Sequence, residues 1–394
     1  MGNIRRAGRS RRSVTGAVAA VGVLAVAGCG QAVGSQGGEP PDRVERAADA
    51  LVEFGVSGVQ VRVSQEASSR VVTSGVADLA SGEPVAGNGY LRAGSVTKTF
   101  VATAVLQLAA EGVLSLDDPV GEWLPGTARG EGVDLGEVTV RHLLQHTSGL
   151  QDHDDPELGS EAYFHEHRWD VGDPGETVAA ALGNPALFAP GEGWAYSNAG
   201  YVLVGMVIEE ATGQHWAKQV HDRIIRPLGL TDTFWPGNSP FLPSPHATGY
   251  QVFEPGGEMV DVTDFVLNDT SGSLISTAAD LDVFLRALLG GALLGPEELA
   301  DMQETVPLEG DAYEQVWPNG AEYGLGLFRI GFESCEGGYW HSGGDIEGAM
   351  TRTGITDDGT GVVAFASTQV RDSMESLIAQ NHRMNDVVEA ALCD

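Results

Sequence analysis

Ser95-Val96-Thr97-Lys98 places one of only two lysines in 394 residues three positions after a serine. Phe100, Val101, Ala104, Val105 and Leu108 then recur at helical spacing until Gly112, which predicts a helix with Ser95 at its start and Lys98 one turn in. Residues i and i+3 share a helix face, so the hydroxyl and the amine are neighbours. An ammonium buried there loses its solvation and becomes neutral enough to accept the serine proton. The helix dipole favours negative charge developing at the same end. With so few lysines, chance supplies only about 0.1 Ser-x-x-Lys matches, but a motif this short takes its meaning from its surroundings.

The first twelve residues carry Arg5, Arg6, Arg9, Arg11 and Arg12 and no acid, and an apolar run follows from Val14 to Ala27. That run is short for a bilayer span and reads as an export signal over residues 1–28. Val26-Ala27-Gly28-Cys29 resembles a bacterial lipobox, in which Cys29 is lipidated and becomes the new N-terminus; Ala25-Val26-Ala27 is the competing site for ordinary signal peptidase. Ser10-Arg11-Arg12 matches a twin-arginine signal only weakly. Residues 29–42, rich in Gly, Ser and Pro, read as a tether. The expected location is the outer face of the cytoplasmic membrane as a lipoprotein, or secretion, with membrane contact only through the lipid anchor. Once Cys29 is lipidated, Cys335 and Cys393 remain as a pair in an oxidising compartment, which predicts a disulfide; two buried free thiols are the alternative.

Removing residues 1–28 leaves 17 basic against 55 acidic residues, a formal charge of −38. No nucleic-acid partner is expected, because phosphate backbones are bound by clusters of Lys and Arg, and a surface this acidic repels them. The charge otherwise reads as a solvated outer face. It names no substrate.

Residues 43–394 carry enough apolar residues for a large core, and no internal repeat is visible. Val56 to Val76 alternates as a hairpin with its turn within Gln65–Arg70, and the last third returns to strand-like runs at Tyr323–Ile330, Gly338–Trp340, Ala349–Ile355 and Gly361–Ser367. Met374, Leu377, Ile378, Met384, Val387, Val388 and Ala391 form one face of a closing helix. Between them, Pro and Gly loops interrupt short helical patterns. The expected fold is therefore α/β (α+β): an antiparallel sheet flanked by helices, formed by 43–112 and 268–394, with an inserted mainly helical lobe over 113–267. A monomer is expected.

Two further motifs follow the serine at element boundaries. Tyr196-Ser197-Asn198 precedes a helical pattern through Leu203, Met206, Val207 and Glu210, and His341-Ser342-Gly343 follows the strand-like Gly338–Trp340. Asn198 has a plain alternative role as a helix cap. His153, Asp154, Asp155, His165 and His167 offer zinc-type ligands, but they follow no spacing template, and no metal or other cofactor is expected.

Taken in order, these motifs resemble those of the penicillin-recognising serine hydrolases: class C β-lactamases, the secreted actinomycete-type D-alanyl-D-alanine carboxypeptidase, and related esterases and D-aminopeptidases. Arg92-Ala93-Gly94-Ser95-Val96-Thr97-Lys98, Leu144-Gln145-His146-Thr147-Ser148-Gly149-Leu150, Tyr196-Ser197-Asn198, Tyr323-Gly324-Leu325-Gly326-Leu327 and His341-Ser342-Gly343 carry the likeness. The histidine of the last motif and the Cys335/Cys393 pair look most like the carboxypeptidase branch. The resemblance implies a β-lactamase/transpeptidase-like fold and an acyl-enzyme on Ser95, with Lys98 as base. It implies that Tyr196, with its phenol acidified by Lys98, carries the proton to the leaving group. Asn198, His341, Ser342 and Gly343 would then bind substrate, His341 orienting Tyr196 or a substrate carboxylate, while the N–H groups of Ser95 and Gly344 form the oxyanion hole. The implied substrates are small: peptidoglycan stem peptides for a D-alanyl-D-alanine carboxypeptidase or penicillin-binding enzyme, an ester for a carboxylesterase, or a β-lactam for a class C-like β-lactamase. A surface module that binds without turnover is a remote alternative.

Two positions depart from the carboxypeptidase branch. An arginine that binds the peptide carboxylate follows the Tyr-Gly-Leu-Gly-Leu stretch there; here Phe328 holds that position and Arg329 comes next. A one-residue shift in a strand turns a side chain to the opposite face, so Arg329 is expected to miss the cleft. Gly344 replaces a threonine.

Overall fold

The computed structural model describes residues 41–66, 68–127, 132–152 and 160–393. The signal, Cys29, the tether up to residue 40 and the His153, Asp154 and Asp155 part of the acid–histidine cluster lie outside the described residues. Pro41–Asp394 forms one compact unit. No helix among the described residues is long and apolar enough to cross a membrane.

A nine-stranded sheet organises that unit. Its strands run Ser68–Gly75, Gly58–Gln65, Gly361–Ala366, Ala349–Ile355, Gly338–His341, Phe328–Gly331, Ala321–Tyr323 and Val306–Pro307, every pairing antiparallel; Gly343–Ile346 adds a further pairing to Ala349–Ile355. The period-2 pattern sorts the central strand to two cores: Val363 and Phe365 face one cluster, Val362, Ala364 and Ala366 the other. Both sheet faces are therefore covered. The Arg43–Phe54 and Met374–Leu392 helices cover one, through Val44, Ala48, Leu51, Met384, Val387 and Val388. On the other, the Val96–Ala110 and Ala278–Leu289 helices meet through Phe100 and Phe284, stacked with ring centroids 3.5 Å apart.

The Arg43–Phe54 helix was not among the expected elements, although Asp42 and Glu45 close a capping box at its start. The run Tyr323–Ile330 is two strands rather than one, broken at 324–327 where Gly324 N donates to Leu327 O. Among the described residues, the regular elements of the 113–267 segment up to Leu228 are helices. Beyond that, Tyr250–Val252 is strand and pairs in parallel with Thr368–Val370, so the segment's end is tied to the sheet-forming part of the chain. Cys335 and Cys393 are disulfide-bonded, with S–S 1.97 Å, fastening the loop after Phe328–Gly331 to the end of the closing helix.

Candidate active site

The Ser95 helix is unlike a surface helix, because its residues from Val96 through Leu106 are all buried. A helix apolar on all sides belongs in the middle of a protein, and this one carries Lys98 there with it. Lys98 is 1% exposed. Its Nζ lies 3.1 Å from Ser95 Oγ, 2.7 Å from Asn198 Oδ1 and 2.7 Å from the Ser271 carbonyl. Burial lowers the Lys98 pKa to about 7, against the opposing pull of the Asp269 and Asp152 carboxylates. The amide and carbonyl oxygens accept only. A neutral lysine satisfies both with its two N–H bonds and turns its lone pair on the Ser95 hydroxyl, as a general base requires.

Tyr196 completes the chain from the other side, its Oη 2.7 Å from Ser95 Oγ. The Lys98 amine lies over the face of the Tyr196 ring, 4.8 Å from its centroid. Acidification of this phenol by Lys98 is the expectation the structure corrects: burial raises the Tyr196 pKa well above its ordinary value. Tyr196 is a neutral O–H donor at working pH. The three groups therefore stand on one hydrogen-bonded line, Tyr196 Oη, Ser95 Oγ and Lys98 Nζ, with Tyr196 donating to Ser95.

Backbone donors lie beside the hydroxyl. Gly94 adopts φ 54°, and a Cβ there would stand 3.0 Å from Gly344 Cα; a Cβ at Gly344 would stand 2.2 Å from the Ala93 carbonyl and 3.0 Å from Ser95 N. Two glycines thus let the strand Gly343–Ile346 close against the start of the Ser95 helix. The backbones of Ser95 and Gly344 come together there, the close approach that an oxyanion hole requires.

The side chains of the third motif turn to partners inside the fold. His341 is 3% exposed, and its Nδ1 donates to Thr353 O at 2.6 Å. Its ring neighbours are Phe328 and Tyr339, and its bond to the Thr353 carbonyl holds it to the sheet. Burial, with the Arg352 guanidinium nearby, lowers its pKa to about 3. A neutral imidazole supplies no charge for a substrate carboxylate. Ser342 is buried too, its Oγ 2.7 Å from Thr99 Oγ1; its hydroxyl locks strand to helix rather than facing substrate. Gly343 is half-buried, pairing with Arg352.

Phe328 and Arg329 lie on opposite faces of their strand. Phe328 joins Trp194, Trp317, Tyr323 and His341. Arg329 lies over Trp340 and pairs with Asp357 at 3.2 Å. His165 faces Glu161 one turn back in its helix, and His167 faces Asp170 just beyond the helix end. Among the described residues no group of three metal-ligating side chains converges.

Sequence reading missed Asp152. Its carboxylate accepts from Ser197 Oγ at 2.8 Å, Asn198 N at 2.8 Å and Ala199 N at 3.0 Å, capping the Asn198–Thr212 helix and fixing the residues around Asn198. A partner 46 positions away leaves no spacing signal. His146, within the Leu144–Leu150 motif, holds φ 61°; its carbonyl accepts from Ala195 N and its Nδ1 from Ser197 N, bracketing Tyr196. Asp152→Asn should lower the melting temperature, because an amide replaces a carboxylate that takes three donors. It should also move the acid limb of the pH–rate profile to lower pH, because one charge holding up the Lys98 pKa is lost. Calorimetry and a pH–rate series on the variant check both.

Serine, lysine and tyrosine on one hydrogen-bonded line, with the Gly344 backbone packed against the start of the serine's helix, form a site suited to serine acyl transfer. The chain belongs to the Beta-lactamase family, whose pattern matches residues 18–388, and is a serine hydrolase of that fold. Among solved structures it is similar to a D-stereospecific amidohydrolase from Streptomyces sp., with 35% identity and a TM-score of 0.79 over 90% of this chain and 99% of that one. Among curated proteins it is 34% identical over 160 residues to Penicillin-binding protein 4* of Bacillus subtilis (strain 168), and 41% identical over 169 residues to Esterase EstB of Burkholderia gladioli. Each match takes in 40% of this chain, and they span 33% and 41% of those relatives' own lengths.

Proposed function

We propose that this chain hydrolyses amides and esters of D-configured aminoacyl groups through an acyl-enzyme on Ser95. The observation that carries the chemistry is the line Tyr196 Oη, Ser95 Oγ and Lys98 Nζ, at 2.7 and 3.1 Å. Ser95 Oγ forms a bond to the substrate carbonyl carbon while its proton passes to neutral Lys98. The oxyanion is held by the N–H groups of Ser95 and Gly344. Tyr196 gives its proton to the leaving nitrogen or oxygen as that bond breaks, and Lys98 returns the first proton to Tyr196. Water then releases the acid and restores Ser95. Asn198 keeps Lys98 aimed and remains exposed enough to meet a substrate amide.

The choice of D-configured amides rests on likeness to the Streptomyces D-stereospecific amidohydrolase, matched over nearly its whole length. A D-alanyl-D-alanine carboxypeptidase or penicillin-binding enzyme is the second reading, favoured by His341-Ser342-Gly343 and by Penicillin-binding protein 4*; Esterase EstB favours ester turnover on the same serine. Export and lipid anchoring at Cys29 belong to the same proposal, supported by the arginine-rich leader and Val26-Ala27-Gly28-Cys29. Release of ammonia from D- and L-phenylalanine amide tests the main reading. Turnover of the D-form at least about tenfold faster is expected, a difference of about 1.4 kcal/mol in transition-state binding. Equal turnover of both, or turnover of D-alanyl-D-alanine in preference to either, would turn the assignment to the second reading.

A further inference from the structure

We infer that the leaving-group side of this cleft is an aromatic subsite, built for a neutral ring-bearing amine or alcohol and not for a C-terminal carboxylate. The inference rests on the acyl-enzyme reading above. The proton donor fixes which side this is: Tyr196 hands its proton to the departing atom, so the leaving group passes over Tyr196. Trp194 flanks that ring, with centroids 6.4 Å apart, and Phe328 lies beyond Trp194 at 6.5 Å. Trp317 closes on Phe328 at 5.2 Å, and Tyr323 and His341 pack beneath it at 4.5 and 5.6 Å. Tyr323 and His341 are buried, whereas Trp194, Trp317 and Phe328 are half-buried. Trp194 thus borders the proton donor, and Phe328 and Trp317 continue the half-buried aromatic cluster outward from it.

Charge is what a carboxylate would need there, and the nearby cations are committed elsewhere. Arg329 is on the opposite face with Asp357. Arg352 is held by both oxygens of Asp345, at 2.6 and 3.0 Å. His341 is neutral. A carboxylate pressed against aromatic faces loses hydration and meets their negative quadrupole, whereas a ring gains edge and face contacts.

Matched substrates on one acyl group test this: D-alanine benzyl ester against the ethyl ester, and D-alanine benzylamide against D-alanyl-D-alanine. Each is measured as kcat/KM, with intact-mass detection of the Ser95 adduct. The benzyl ester should exceed the ethyl ester by about tenfold or more, because the two alcohols differ chiefly in the ring. The benzylamide should exceed the dipeptide. Phe328→Arg should reverse that second order, and Phe328→Leu, which keeps an apolar side chain in place, should reduce the benzyl-to-ethyl ratio. A benzyl-to-ethyl ratio near one, or a wild-type preference for D-alanyl-D-alanine, with Ser95 still acylated, would overturn the aromatic subsite and leave the acyl-enzyme standing. Absence of a Ser95 adduct with all four would overturn both.

Discussion

Ser95→Ala is expected to reduce hydrolysis of every amide and ester substrate by on the order of 10⁵- to 10⁶-fold, the loss seen when a serine nucleophile is deleted. The deletion removes one oxygen and little packing. The helix start, the Gly94 turn and the backbone donors near Gly344 do not depend on the hydroxyl. Substrate affinity should therefore change little while kcat collapses, a split that separates a lost nucleophile from a misfolded site. Initial rates over a range of substrate concentrations, with a melting curve for each protein, measure it. A variant retaining a tenth of the activity would remove Ser95 from the chemistry.

The second large effect concerns Lys98 and has a sign as well as a size. With the pKa lowered to about 7, about half of the protein carries a neutral base at pH 7. At lysine's ordinary value only about one molecule in three thousand would do so. Acylation should rise about tenfold per pH unit below 7 and level off above it. A lysine acting only as a fixed cation would give the opposite slope, with activity falling as pH rises through 7. Lys98→Arg keeps a cation but cannot deprotonate. It should cost on the order of 10³- to 10⁴-fold in acylation and flatten the pH dependence. Rapid-mixing rates of acylation from pH 5 to 9 on both proteins distinguish the alternatives.

What the sequence made legible was local and periodic. The Ser95 helix, the hairpin at Gly58–Gly75 and the closing helix each follow from spacing that one stretch of chain displays. The face of Arg329 followed from strand alternation, and its contact with Asp357 lies on the side that alternation implies. Local reading failed where burial or distant partners decide the outcome. Tyr196 sits beside a lysine in either account, but only the surrounding core reveals that desolvation governs its proton. Ser342 and His341 lie in a motif whose side chains turn inward to Thr99 and Thr353. The Asp152 carboxylate caps a helix it does not adjoin in sequence. The Arg43–Phe54 helix is the exception, since Asp42, Glu45 and the spacing of Val44, Ala48 and Leu51 were all visible in the sequence.

The most direct test of the central claim is rapid-quench intact mass spectrometry on the full chain with benzylpenicillin and, separately, D-alanine benzyl ester, followed by peptide mapping. The acyl-enzyme account predicts a mass gain of one acyl group, localised to Ser95 and absent from Ser95→Ala. Turnover with no covalent intermediate at any time, or the same adduct on Ser95→Ala, would contradict it.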